Sequence, residues 1–168
     1  MGKYRFHAAQ QTTRRGPVVR VKYANSRLYS TESLSPSILI RVLGLISLVV
    51  DRQGVILGVD GYESSDYWTE SKIVMPKISD KAIIGTHLPS QIFSNYDAVN
   101  AQSNHKNLTS TYDSSTKTLL IGKPCQQVHQ VGENVFVHLK KGLISSMYFT
   151  GLDLKRPPED SRPATNNS

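Results

Sequence analysis

Residues 85–101, GTHLPSQIFSNYDAVNA, have the clearest helical pattern in the chain. Apolar and aromatic side chains recur there at helical spacing, at Leu88, Ile92, Phe93, Tyr96 and Val99. Because an α-helix repeats every 3.6 residues, this spacing places them along one side of a helix. Pro89 suits the first turn, where the amide hydrogen that proline lacks has no partner. We therefore predict a central helix with strands packed around it.

Two elements are predicted before this helix. Residues 36–43 begin with a proline that is typical of a helix start, so we predict a short helix that ends at Gly44. Residues 45–50 and 55–59 are rich in Val, Ile and Leu and are predicted to pair as a β-hairpin. Gly54 supports the hairpin because it readily adopts the positive φ that such a turn commonly requires.

Three apolar segments after the helix predict an antiparallel meander: residues 117–122, 126–131 and 135–139. Residues 143–149 fit either another strand or a helix. The predicted fold class is therefore α/β (α+β), with a single antiparallel sheet in the order short α-β-β-α-β-β-β. Residues 34–150 form the predicted domain. Residues 1–33 are predicted to be a basic flexible arm or targeting segment, and residues 151–168 a disordered tail.

The positive charge is concentrated at the beginning of the sequence. The chain has a formal net charge of +7, and residues 1–31 contain seven Lys and Arg residues and no acidic residue. Three interpretations are open: a solvated flexible arm, a mitochondrial presequence, or an arm that neutralises nucleic-acid phosphates. Residues 27–30, RLYS, resemble a matrix-processing site. The third interpretation assigns phosphate contacts to Arg14, Arg15, Arg20, Lys22 and Arg27.

No catalytic, metal-binding or membrane-spanning motif is evident in the sequence. The nucleophile elbow, the phosphate-binding glycine loop and the HExxH motif are all absent, so we expect neither an enzyme nor a cofactor. Cys125 and His129 are four residues apart, but without a second ligand pair they predict no metal site. The single cysteine excludes an intrachain disulfide and favours a reducing compartment. No apolar run approaches the length of a transmembrane helix.

Three segments give the chain a resemblance to a known family: VVDRQGVILGVDGYESSD (49–66), SQIFSNYD (90–97) and TLLIGKPCQQVHQVGENVFVHLK (118–140). Their order and hydrophobic pattern resemble the Roadblock/dynein light chain domain, in particular members that belong to the lysosomal Ragulator scaffold. The resemblance covers residues 36–142. It lies in apolar patterns and in the Ser, Ile, aromatic, Tyr and Asp positions of the helix.

The resemblance implies a non-enzymatic scaffold or adaptor subunit. Members of this family heterodimerise through the central helix and the following strand and form a platform for small GTPases. The implied partners are other roadblock-type subunits and Rag-like small GTPases in amino-acid/TORC1 signalling. The implied location is the cytoplasmic surface of the late endosome, lysosome or vacuole, reached through partners. Carried over to this chain, the implied partner-binding residues are Ile92, Phe93, Tyr96, Val99, Leu119 and Ile121.

Two alternatives to the scaffold remain open. One is a β-rich nucleic-acid-binding or capsid-type protein that uses the basic N-terminal residues as its phosphate-neutralising arm. The other is a mitochondrial protein of unassigned role that is processed near Ser30. Nucleic acid is an expected partner only under the first alternative.

Overall fold

The computed structural model describes residues 4–10, 20–30, 36–95 and 108–154. These residues form fourteen strands, one six-residue α-helix and a single 3₁₀ turn at Ser65–Tyr67, so the fold is essentially all-β. In chain order the strands are β1 (Phe6–Ala9), β2 (Lys22–Ala24), β3 (Arg27–Tyr29), β4 (Ser37–Leu43), β5 (Leu45–Asp51), β6 (Ile56–Tyr62), β7 (Thr69–Glu70), β8 (Lys77–Ser79), β9 (Ala82–Gly85), β10 (Ser110–Asp113), β11 (Thr118–Gly122), β12 (Gln127–Gln130), β13 (Val135–Lys140) and β14 (Leu143–Phe149). The helix, α1, is Ser90–Asn95.

Five strands form an antiparallel sheet in the order β2-β3-β6-β5-β4. Side chains alternate between the two faces of a strand, and this alternation separates buried from exposed residues. Ile40, Ile46 and Leu48 are fully buried on one face, whereas Leu39 and Leu45 are exposed on the other. The sheet is therefore amphipathic.

Seven strands form the second large sheet, in the order β7-β10-β11-β14-β13-β12-β8. The first and last pairings, β7 with β10 and β8 with β12, are parallel, and all the others are antiparallel. One face of this sheet shares a hydrophobic core with the buried face of the five-stranded sheet. Leu119, Ile121, Val137, Met147 and Phe149 lie in this shared core and are fully buried.

The opposite face of the seven-stranded sheet carries a smaller apolar cluster, which we call the covered face: Leu120, Val128, Phe136 and Tyr148. Residues 71–76 connect β7 at one sheet edge with β8 at the other, and we call them the crossing segment. Ile73 and Met75 of the crossing segment pack against the covered face. The amide of Ile73 donates to the Asp113 carboxylate at 2.9 Å, which ties this segment to β10.

A two-stranded sheet of β1 and β9 completes the fold. Tyr4 and Phe6 from this region are buried in the shared core.

Gly54, at the turn between β5 and β6, has φ of 86° and accepts a 2.7 Å hydrogen bond from the Gly85 amide through its carbonyl. A β-carbon at Gly54 would collide with the backbone of Gly85, so this turn requires glycine for both its conformation and its packing.

The predicted α+β fold with a central helix and a single sheet is wrong. Only Ser90–Asn95 is helical within the described part of residues 85–101, and Gly85 at its start belongs to strand β9. Tyr96 and Val99 lie outside the described residues. The core is formed by strands from different sheets, and the helix lies beside it.

The predicted short helix over residues 36–43 is also wrong, because Ser37–Leu43 is strand β4. The apolar residues Ile38, Ile40 and Val42 recur with a period of two, and the pattern was obscured by Leu39 on the other face. The hairpin over residues 45–59 is confirmed as β5 and β6.

The three-stranded meander is not formed. β12 and β13 are neighbours, but β14 lies between β13 and β11. Residues 143–149, which fitted either a strand or a helix, are therefore a central strand.

The predicted disordered tails are folded in their described parts. Residues 4–9 and 20–30 contribute β1, β2 and β3, and Val21 and Leu28 are buried. Leu152 is also buried, and its carbonyl accepts a hydrogen bond from the Tyr112 hydroxyl at 3.1 Å. The α-helix in the described part of the chain has six residues, which is too few to span a membrane.

Candidate functional site

The exposed side of the five-stranded sheet carries three of the exposed large hydrophobic side chains of the described residues, Leu39, Leu45 and Tyr62, and we call it the outer face. Residues that pair directly across strands lie on the same face, and so does every second residue along a strand. The outer face consists of Lys22, Ala24, Arg27, Tyr29, Leu39, Arg41, Leu45, Ser47, Val49, Gly58, Asp60 and Tyr62. Leu45 is 59% exposed and Tyr62 is 60% exposed. A sheet face with large apolar and aromatic side chains in water is typical of a contact surface.

The pairing of the strands sets the positions of these side chains. Tyr62 pairs directly with Arg27 on one side and with Leu45 on the other. Tyr29 pairs with Asp60, so Tyr29 and Tyr62 are diagonal neighbours on adjacent strands. Backbone positions related in this way are about 7–8 Å apart. The two tyrosines therefore lie on adjacent strands, with Arg27 next to both of them.

Arg27 is fixed at the centre of this arrangement by Asp60. Its Nη2 and Nε atoms lie 2.8 and 2.9 Å from Asp60 Oδ1, and its guanidinium carbon lies 5.8 Å from the centre of the Tyr29 ring. The hydrogen bond and the charge of Asp60 raise the pKa of Arg27 above its usual value, with smaller contributions from Tyr62 and Tyr29. The guanidinium group is thus permanently charged and oriented toward an aromatic ring.

The outer face carries an excess of positive charge. Lys22, Arg27 and Arg41 are exposed, and Asp60 is the only acidic residue in the set. Since Asp60 is bound to Arg27, its charge is already matched. Lys22 on β2 and Arg41 on β4 lie four strand spacings apart, or about 19 Å. The cations therefore lie on either side of the tyrosines.

This combination of groups suits an extended anionic polymer with flat aromatic units. Aromatic rings on a sheet stack against nucleic-acid bases, and flanking cations contact the phosphates. The outer face contains both kinds of group within one continuous sheet.

Among the residues that the family resemblance implied for partner binding, the described side chains do not form one exposed surface. Leu119 and Ile121 are fully buried in the shared core, so neither side chain is exposed to a partner. Phe93 is half-buried and packs against the same core. The side chain of Ile92 and the whole of Tyr96 and Val99 lie outside the described residues.

The basic residues near the N-terminus have three different placements. Lys22 and Arg27 lie on the outer face, on β2 and β3. Arg20 lies elsewhere and binds Glu133 at 3.2 Å and the Gly151 carbonyl at 3.2 Å. Arg14 and Arg15 lie outside the described residues. Of the five proposed phosphate contacts, two are therefore placed on a common surface.

Residues 27–30, which resemble a processing site, lie in or next to strand β3. Leu28 in this strand is fully buried, and β3 pairs with β6. Cleavage after Ser30 would remove β1, β2 and β3 from their sheets.

Cys125 and His129 do not share a ligand set. The Cys125 thiol contacts the Gln127 carbonyl and the Tyr148 hydroxyl, and burial raises its pKa. His129 Nδ1 instead lies 3.0 Å from the Lys81 carbonyl oxygen. Among the described residues, no group of three His, Cys, Asp or Glu side chains could hold a metal ion.

Sequence reasoning missed the outer-face residues Tyr29, Arg41, Leu45 and Tyr62. One signal was available, because residues 37–43 alternate with a period of two and place Arg41 opposite the buried positions. The placement of Tyr29 and Tyr62 next to Arg27 required the pairing of β3 with β6, whose paired residues are 31 to 35 positions apart in the chain.

Comparison with known proteins provides no identification. No protein-family model matches the chain, and a search of curated proteins finds no significant match.

Proposed function

We propose that this protein binds single-stranded nucleic acid on its outer face. The observation that carries the proposal is the adjacent placement of Tyr29, Arg27 and Tyr62, with Lys22 and Arg41 on either side. In this proposal Tyr29 and Tyr62 stack against bases, and the cations contact phosphates. Arg14 and Arg15 precede this surface in sequence, and their contribution to phosphate contacts remains a prediction.

Single strands are favoured over duplexes because stacking requires accessible bases. In a duplex the bases are stacked on each other, so only phosphate contacts remain for a flat sheet. Aromatic stacking tolerates any base, since every base has a flat π-face. We therefore expect binding with little sequence preference.

The adaptor function implied by the family resemblance is the alternative to this proposal. The fold on which the resemblance depended is not the fold of this chain, and Leu119 and Ile121 are buried. No feature of the described residues indicates a surface for Rag-like GTPases, whereas the outer face has groups that match nucleic acid.

Fluorescence anisotropy with a labelled oligonucleotide tests the proposal. Tyr62→Ala should weaken binding of single strands by about 5- to 150-fold, because one stacked base contributes about 1–3 kcal/mol. Tyr67→Ala is the matched control, since Tyr67 is 84% exposed and does not belong to the outer face. Equal effects of the two substitutions, or wild-type affinity of Tyr62→Ala, would contradict the proposal.

The salt dependence of binding tests the phosphate contacts separately. The double variant Lys22→Gln/Arg41→Gln should reduce the slope of log affinity against log salt by about 1.4, or about 0.7 for each contact to a single strand. Lys72→Gln/Lys81→Gln removes the same charge from positions outside the outer face and should leave the slope unchanged. No binding by the wild-type chain at low salt would overturn the proposal and favour a protein partner for this surface.

A further inference from the structure

A cleft with cationic residues lies at one end of the seven-stranded sheet. Its volume is about 640 Å³, and it is lined by the loop between β11 and β12, by β13 and β14, and by residues 108–109. None of its lining residues belongs to the outer face. The cleft is therefore a separate candidate site.

The loop over this cleft is fixed by buried groups. Because β14 and β13 lie between β11 and β12, residues 123–126 must pass over both strands. The Ser146 hydroxyl donates to the Lys123 carbonyl at 2.6 Å, and the Cys125 amide donates to the Tyr148 hydroxyl oxygen at 3.3 Å. Ser146 is 2% exposed and Tyr148 is fully buried, so these anchors are part of the sheet. The loop backbone is thus held in place before any ligand binds.

The lining is positively charged and rich in hydrogen-bond donors. Lys123, Lys140 and His138 line the cleft together with Ser145, and the lining contains no Asp or Glu. His138 Nδ1 lies 2.9 Å from the Gln127 carbonyl oxygen, so Nδ1 carries the proton and donates to this acceptor. Nε2 is then the ring nitrogen not used in this bond. A lining with cations and without carboxylates is complementary to an anion.

The other residues of the cleft indicate more than a bare anion. Leu108 and Pro124 provide apolar surface beside the lysines. Small-molecule sites of this size combine apolar lining with a few polar groups that orient the ligand. A phosphate group with an attached ring matches both parts of the lining.

We propose that this cleft binds a small phosphate ester of the size of a nucleoside monophosphate. Lys123 and Lys140 contact the phosphate through charge-assisted hydrogen bonds, as lysine does in other phosphate sites. Leu108 and Pro124 contact the ring. The proposal is independent of nucleic-acid binding on the outer face, because it uses different residues.

Amide chemical shifts of the full-length, ¹⁵N-labelled chain test this proposal. Titration with adenosine monophosphate to millimolar concentration should shift the amides of residues 122–127 and 138–146 in a saturable way. Inorganic phosphate should shift the same amides with lower affinity, and adenosine should bind more weakly than the monophosphate. No saturable shift in these residues, or shifts confined to the outer face, would overturn the proposal.

Two double variants separate the site from general electrostatics. Lys123→Gln/Lys140→Gln should weaken adenosine monophosphate binding by at least about tenfold. Lys72→Gln/Lys81→Gln changes the net charge by the same amount and should leave adenosine monophosphate affinity unchanged. An equal loss of affinity in both double variants would overturn the proposal. Tyr62→Ala should leave this binding unchanged, which makes failure at the cleft distinguishable from failure at the outer face.

Discussion

The two large sheets differ in the exposure of the side that faces away from the shared core. On the seven-stranded sheet, Phe136 and Tyr148 are buried because the crossing segment and the loop after β11 pass over them. On the five-stranded sheet, Leu45 and Tyr62 are 59% and 60% exposed. The covered face has its apolar surface buried by the chain itself, whereas the outer face leaves aromatic, apolar and basic groups exposed.

The two faces are therefore expected to differ in how much their side chains contribute to stability. Burial of a large apolar side chain stabilises a protein by about 1.5–3 kcal/mol, and the covered face gains this stabilisation. An exposed side chain gains little, so Tyr62 can be replaced without loss of the fold. Its exposed position fits the contact with nucleic acid that we propose for the outer face.

The largest expected effect of substitution is on the covered face. Tyr148→Ala should reduce the free energy of unfolding by about 3–5 kcal/mol, because it leaves a large cavity beneath the loop after β11. Tyr148→Phe should cost about 1 kcal/mol, since it removes only the hydroxyl that accepts from Cys125. Urea denaturation measures both values. If Tyr148→Ala costs no more than Tyr62→Ala, the distinction between the two faces is wrong.

A smaller effect, with a characteristic pH dependence, is expected at the anchor of the crossing segment. The Asp113 carboxylate accepts hydrogen bonds from the Ser115 hydroxyl and the Ile73 amide, which lower its pKa from 3.8 to about 2. Because the pKa is lower in the folded state, the stabilisation is complete above the unfolded pKa. It is lost as the pH falls from about 4 to about 2.

Asp113→Asn should therefore lower the melting temperature at neutral pH. One carboxylate oxygen becomes an amide nitrogen that cannot accept, so either the Ile73 amide or the Ser115 hydroxyl loses its acceptor. The difference from the wild-type chain should decrease below about pH 4 and become small near pH 2. Thermal unfolding monitored by circular dichroism over this range provides the measurement. Melting curves that stay parallel down to pH 2 would show that this carboxylate does not anchor the crossing segment.

The smallest effect on stability is expected on the outer face. Tyr62→Ala and Leu45→Ser should each change the free energy of unfolding by no more than about 0.5 kcal/mol, as exposed substitutions usually do. Chemical denaturation measures this change, with Tyr67→Ala as an exposed reference. A loss that approaches the loss for Tyr148→Ala would mean that the outer face is covered and is not a ligand surface.

Local signals in the sequence were sufficient for only part of this fold. The hairpin of β5 and β6 could be predicted because its turn and its pairing lie within one short segment, with Gly54 at the turn. The period-two pattern in residues 37–43 was present but was outweighed by Pro36 as a helix signal. Residues 85–101 have helical spacing, yet β9 takes their first residue and the described helix has six residues.

The candidate site was predictable to a similar degree. The basic character of residues 1–31 drew attention to five cations, and two of them, Lys22 and Arg27, lie on the outer face. Their aromatic neighbours were not identified, since Tyr62 meets Arg27 through the pairing of β3 with β6.

The amino-acid sequence fixes the concentration of positive charge in residues 1–31, the turn at Gly54 and the alternation of the hairpin strands, because these properties depend on neighbouring residues. Tertiary structure places β14 between β11 and β13 and directs residues 71–76 across one sheet and not the other. Alternation divides a strand into two faces, but which face is buried depends on segments that are distant in the chain. The covered face and the outer face are therefore products of long-range packing.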